Sequence, residues 1–246
     1  YKEVNAKTKE DESVLGLCRE ELVKLQSGDK ENLAIWKKCV DVSLQGLGKI
    51  YEQLDVSFDH YLGESYYNDA LRPLVDEFVS KDIAQESDGA MCIFSDETKP
   101  PEQDPFKIQR DGEWNNVPCM VQKKDGGFLY ATTDLATIDY RVKEWKADQI
   151  WYVVGAPQQL HFRQVFDAAR MWGRDNTKMV HVAFGSILGK DRKPFKTRSG
   201  ENVGLQEVLT ESIERALAFL DEREDEGKLV IPVDEKPNVA RVVGLG

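Results

Sequence analysis

With 246 residues, 41% of them hydrophobic and 31% charged, the chain is long enough to bury a real core and is neither a disordered tail nor a low-complexity segment. Its 44 acidic against 33 basic side chains leave a net charge of −11, which repels nucleic acid unless basic groups gather locally, and in sequence they gather only at 190–198. No apolar run reaches the ~18 residues of a membrane span and no signal-peptide pattern opens the chain, while Cys18, Cys39, Cys92 and Cys119 are too scattered for a metal site and read as reduced core thiols of a cytoplasmic protein.

The first stretch, 1–88, reads as helical. Between 10 and 54, apolar residues recur at helical spacing, from Val14, Leu17, Leu22 and Leu25 to Leu33, Trp36, Val40, Leu44 and Leu47, with Gly28-Asp29 dividing two helices. Val56 and Phe58 predict a short strand before a turn at Gly63, and 64–81 predicts another helix in which Pro73 forces a start or a kink.

From 89 to 130 the pattern is that of a β-rich insertion. It has a strand at 89–94, an irregular connection through Pro100, Pro101 and Pro105, a strand at 117–122, and a turn at 124–127 that returns through 128–130 as a hairpin. Between 131 and 204 a helix at 134–145, a strand at 149–154, a helix at 158–172 and a strand at 179–184 alternate as in an α/β fold with a Rossmann-like parallel sheet. On that topology the strand ends at Tyr130, Val154 and Phe184 share one rim, where open α/β sheets bind ligands. The last stretch, 205–246, opens with an amphipathic helix over 205–222 and continues through an acidic run that reads as a solvated face.

Three segments could carry chemistry. In GGFLYATTDLATIDYR, Tyr130 ends an apolar run and Asp134 falls in the first turn of a helix capped by Thr132 or Thr133, so the carboxylate serves either the helix dipole or a cationic ligand. In GAPQQLH, Gly155 admits a ligand close to the backbone, Pro157 suits a first helical turn, the free amides favour phosphate or carboxylate, and Gln158 both donates and accepts. His161 in that turn reads as a satisfied core histidine as readily as a ligand contact. In the third segment Lys190, Arg192, Lys193, Lys196, Thr197 and Arg198 crowd a loop bounded by glycines, which suits charge developing on a triphosphate and equally suits a solvated basic loop.

These segments, in this order and spacing, resemble the catalytic core of a class I aminoacyl-tRNA synthetase, specifically an arginyl-tRNA synthetase. The likeness rests on GGFLYATTDLA, YVVGAPQQLHFRQVF and HVAFGSILGKDRKPFKTRSG, with FDHYLGESYY and DGAMCIF upstream. It implies that Tyr130, Asp134 and Gln158 contact arginine, that Gly155 and His161 border the adenosine of ATP, and that FKTRSG stands in for the family's KMSKS-type loop. Lys196 and Arg198 would then act at the phosphates, with Lys190, Lys193 and Thr197 beside them; the register leaves open which lysine does so.

Mg²⁺ would accompany ATP, and no protein metal site is needed. The family's HIGH signature does not occur: His60 to Gly63 has its first and last letters but falls in a segment similar to a later part of the enzyme. The resemblance therefore implies a fragment that meets tRNA(Arg) through a longer parent chain and is inactive alone. The alternative is a non-catalytic module that binds arginine or a protein partner. A link toward an anticodon-binding domain is expected after 205.

Overall fold

The computed structural model describes residues 2–185 and 204–246. Their elements, in chain order, are helices α1 (Lys2–Glu10), α2 (Glu12–Gln26) and α3 (Lys30–Gln53), a 3-10 turn (Glu64–Tyr67) and helix α4 (Asn68–Ser80). Strands β1 (Ala84–Ser87), β2 (Ala90–Ile93), β3 (Lys107–Arg110), β4 (Glu113–Asn116) and β5 (Cys119–Gln122) follow. Helix α5 (Tyr130–Lys143), strand β6 (Gln149–Gly155), a 3-10 turn (Ala156–Gln158), helix α6 (Gln159–Met171), strand β7 (Lys178–Phe184), and helices α7 (Leu205–Asp225) and α8 (Lys236–Leu245) complete the order.

The chain forms two compact units, one from residues 60–185 and one from 2–59 together with 204–246. In the first, α4 buries Leu71, Leu74, Val75 and Phe78, a helical stripe that meets Leu135 and Ile138 of α5, Val165 and Ala168 of α6, and Ile93 and Val121 of the strands in one core. Burying each such side chain stabilises the fold by about 1.5–3 kcal/mol. Pro73 sits inside α4 rather than at its start.

Two sheets in this unit differ in kind. β1, β2 and β5 form an antiparallel sheet, whereas β6 and β7 pair in parallel from Gln149 opposite Lys178 to Gly155 opposite Phe184. The expected hairpin is present in reduced form: Phe128 bridges Gln122 and the Lys123 amide donates to the Gly127 carbonyl at 2.8 Å. Tyr130 consequently opens α5 instead of ending a strand of the parallel sheet. The ribbon of β3 and β4 lies where an irregular connection was expected, because Asp111 and Gly112 take the left-handed conformations of a tight turn. Gln164 of α6 is buried and donates to the Pro105 and Val117 carbonyls at 3.1 and 2.7 Å, which pins this connection to the helix.

In the second unit, α7 and α8 pack around Ala216, Leu220 and Ala240. α2 and α3 bear out the helical spacing, but their apolar stripes stay open: α3 buries nothing, and Leu33, Trp36, Leu44 and Leu47 are exposed. Cys18 and Cys39, expected in a core, are exposed as well, while Cys92 and Cys119 are buried. The strand expected around Val56 and Phe58 does not form, α1 lies within the stretch expected to be helical, and α8 is a helix that the pattern missed.

Candidate functional site

Helix α5 begins one turn earlier than its pattern indicated, and the reason is Thr132. Its side chain is fully buried, its hydroxyl donates to the Val121 carbonyl of β5, and it accepts from the Leu129 amide at 3.4 Å. Thr132 thus closes the helix start from the third helical position and fastens it to the antiparallel sheet. Leu129, not Thr132 or Thr133, is the capping position, and Asp134 lies in the second turn, beyond the reach of a first-turn dipole role.

What Asp134 does instead is pair. Its Oδ2 lies 2.6 Å from Nε2 of His161 on α6, with both side chains 26% exposed. The bond fixes both side chains while leaving the carboxylate's other lone pairs open to a ligand.

Tyr130, Asp134, Thr137 and Arg141 recur at helical spacing along one face of α5 and line a cavity of about 180 Å³ with Tyr152 of β6. Leu62, Glu64 and Tyr67 complete it on the other side. That volume is below the ~300–1,000 Å³ of pockets that enclose whole ligands, so it fits one side chain rather than a nucleotide. Tyr130 is 72% exposed and stands at its mouth.

Of the residues expected at the site, the structure brings Tyr130, Asp134 and His161 together. Gln158 does not line the cavity; it is exposed at the N-cap of α6 and makes no capping bond with its side chain. Gly155 ends β6 with φ −56° and ψ 142°, a conformation open to any residue, and a Cβ there would meet Pro157 and Phe184 at 3.6 and 3.8 Å, ordinary contact. The amides that follow it carry no side-chain cap in either the 3-10 turn or α6. Lys190, Arg192, Lys193, Lys196, Thr197 and Arg198 lie outside the described residues.

Beneath the site, burial first, then the neighbouring Cys92 and Asp134, push the Cys119 thiol up to about 12, so it is no nucleophile. Among the described residues no cluster of three or more His, Cys, Asp or Glu side chains could hold a metal, and no helix is long and apolar enough to cross a membrane.

A larger cavity, about 370 Å³, gathers Lys99, Arg163, Arg170 and Arg174, a cationic group that sequence reading missed because its members are far apart in the chain. They are largely satisfied within the protein. Lys99 and Arg170 meet the buried Asp167 at 2.5 and 2.7 Å, Arg170 also meets Asp96 at 2.6 Å, Arg174 pairs with Asp139, and Arg163 donates to the Gln103 carbonyl. This network ties the connection after β2 to α6 and offers an anion little free charge.

A family model described as tRNA synthetases class I (R), catalytic domain, matches residues 1–246. An arginine–tRNA ligase of Thermobifida fusca is 41% identical over 249 residues, covering 100% of this chain and 41% of its own, and one of Chromobacterium violaceum is 40% identical with the same coverage. The chain therefore spans about two fifths of the length of the curated relatives it matches. Among solved structures, the arginyl-tRNA synthetase of Plasmodium falciparum aligns with a TM-score of 0.72 at 26% identity, over 95% of this chain and 36% of that one. The Thermus thermophilus arginyl-tRNA synthetase aligns with a TM-score of 0.68 at 18% identity, over 98% and 43%, a likeness of fold alone.

Proposed function

Because the chain belongs to the family of class I arginyl-type tRNA synthetase catalytic domains, we propose that it forms the arginine-holding part of an arginine–tRNA ligase that works in the cytoplasm. The observation that carries this reading is the Asp134 carboxylate, held by His161 at 2.6 Å on the wall of a cavity sized for one side chain. A guanidinium is a planar fork of donors, and a fixed carboxylate accepts two of them at once. Tyr130 at the mouth supplies a further hydroxyl. Gln158 stands outside the cavity, exposed at the N-cap of α6.

His161 acts here as a positioning residue for Asp134, a role the 2.6 Å bond favours over direct contact with adenosine. Gly155 and the uncapped amides after it suit the close approach of ATP, whose triphosphate would meet Lys190, Lys193, Lys196, Thr197 and Arg198 with Mg²⁺ accompanying the nucleotide. The arginine carboxylate, already ionised, attacks the α-phosphate in line; an O–P bond forms, the bond to the β-phosphate breaks, and pyrophosphate leaves. The arginyl group then passes to the terminal ribose hydroxyl of tRNA(Arg), releasing AMP. No general base is required for the first step, so the protein contributes positioning and charge stabilisation.

The test is ATP–pyrophosphate exchange by the complete gene product with tRNA(Arg) present. Arginine should drive exchange, while lysine and citrulline, each leaving part of the site unmatched, should fall by about 10⁴ or more. Comparable exchange with lysine would overturn the reading, and the absence of any amino-acid-dependent exchange would favour a non-catalytic module.

A further inference from the structure

Among the described residues, two buried side-chain polar atoms lack a hydrogen-bond partner, Nε of Arg141 and the hydroxyl of Tyr152, and both belong to residues lining the cavity beside Asp134. Tyr152 is only 8% exposed. A buried hydroxyl without a partner is unfavourable and uncommon in native proteins, and one on a residue that lines a ligand cavity is accounted for when the ligand supplies the missing bond.

Position along the elements tells which part of the ligand that is. Arg141 follows Asp134 by two helical turns, about 10 Å further along α5. Tyr152 lies three residues before the end of β6, about 10 Å from Gly155. Arg141 therefore stands at the end of the cavity away from Tyr130, with its guanidinium 5.3 Å above the Tyr152 ring. Burial raises the Tyr152 phenol well above its usual range against the opposing charge of Arg141, so the hydroxyl stays protonated and neutral.

We propose that Tyr152 is a specificity-determining residue whose hydroxyl oxygen accepts a hydrogen bond from the guanidinium of the arginine held by Asp134, and that the cation of Arg141 behind it sets the depth of the site. The inference rests on the reading of this cavity as the arginine side-chain site. A guanidinium only donates, and a neutral phenol oxygen can accept. Lysine, with a shorter reach and a compact head, would engage Asp134 and leave Tyr152 unpaired. A side chain one methylene longer would drive its charge against Arg141.

The experiment compares Tyr152→Phe, Asp134→Ala and Arg141→Met in the complete gene product, measuring KM and kcat for arginine, KM for ATP, and the thermal midpoint. Tyr152→Phe should raise the arginine KM about tenfold, leave kcat and the ATP KM within about twofold, and leave the midpoint unchanged or higher, since no well-formed hydrogen bond within the fold is lost. An arginine KM within about twofold, beside an Asp134→Ala variant that is strongly impaired, overturns the role of Tyr152 and leaves the proposed function standing. If Asp134→Ala is equally unmoved, the reading of the cavity fails and the inference with it. Arg141→Met should increase exchange with homoarginine relative to arginine by about tenfold, and an unchanged ratio overturns the depth role.

Discussion

Replacing Asp134 by alanine should remove most of the selection for arginine, and the structure sets the size of the loss. The carboxylate is 26% exposed and keeps one neutral or charged partner, His161, at 2.6 Å. Breaking a fully buried ion pair costs about 3–5 kcal/mol, and partial exposure places this one near the lower end, about 3 kcal/mol, or roughly two orders of magnitude in kcat/KM for arginine. Arginine-dependent ATP–pyrophosphate exchange measures it. His161→Ala is the informative companion: if His161 orients Asp134, the arginine KM should rise about fivefold while the ATP KM stays within about twofold. An Asp134→Ala exchange rate within about threefold of wild type would refute the counter-ion assignment, and a selective rise in the ATP KM in His161→Ala would return that histidine to the nucleotide.

Other expectations follow from the packing. Thr132→Val keeps the shape of a fully buried side chain but orphans the Val121 carbonyl, so it should cost about 1–3 kcal/mol and lower the thermal midpoint by several degrees, with the arginine KM rising as the start of α5 loosens. A Cβ on Gly244 of α8 would lie 2.8 Å from the backbone of Ser212 and Ile213 on α7; Gly244→Ala should force the helices apart at about 1–3 kcal/mol in a denaturation curve, and no measurable loss would contradict the packing. Burial alone would raise the Asp96 carboxyl, but hydrogen bonds from Arg170 and Thr98 outweigh it and hold the group at about 2 against an ordinary 3.8. A carboxyl depressed by folding adds stability above its unfolded value near 3.8 and loses it as pH falls through about 2, so the advantage of wild type over Asp96→Asn, about 1 kcal/mol at this exposed site, should be present near pH 5 and vanish near pH 2.

Periodicity was legible wherever one element buried one stripe, as in α6, whose Phe162, Val165 and Ala169 recur as a core face, and in β6 and β7. The local chemistry of α5 was not. Nothing in the order Tyr-Ala-Thr-Thr-Asp shows that Thr132 will bond to a strand ending ten residues upstream, and that bond moves Asp134 from the first turn to the second. The candidate site was half legible. Tyr130, Asp134 and His161 do meet, but the pairing of Asp134 with His161 spans 27 residues and depends on how α5 packs against α6. Arg141 and Tyr152 were overlooked because an arginine late in a helix and a tyrosine in a strand are each unremarkable until the fold leaves one polar atom of each without a hydrogen-bond partner. Gln158, which the family resemblance brings to the arginine, stands exposed at the N-cap of α6 and outside the cavity.

Gly155 ends β6 in a conformation any amino acid could take, with room for a methyl group beside Pro157 and Phe184. The chain's own architecture therefore has no need of glycine there. A library at this position judged by folding alone should accept alanine and serine, whereas one judged by adenylate formation should reject them. With ATP approaching Gly155 as proposed, the difference between those two tolerances would map the volume the nucleotide takes, drawn by what the protein leaves out.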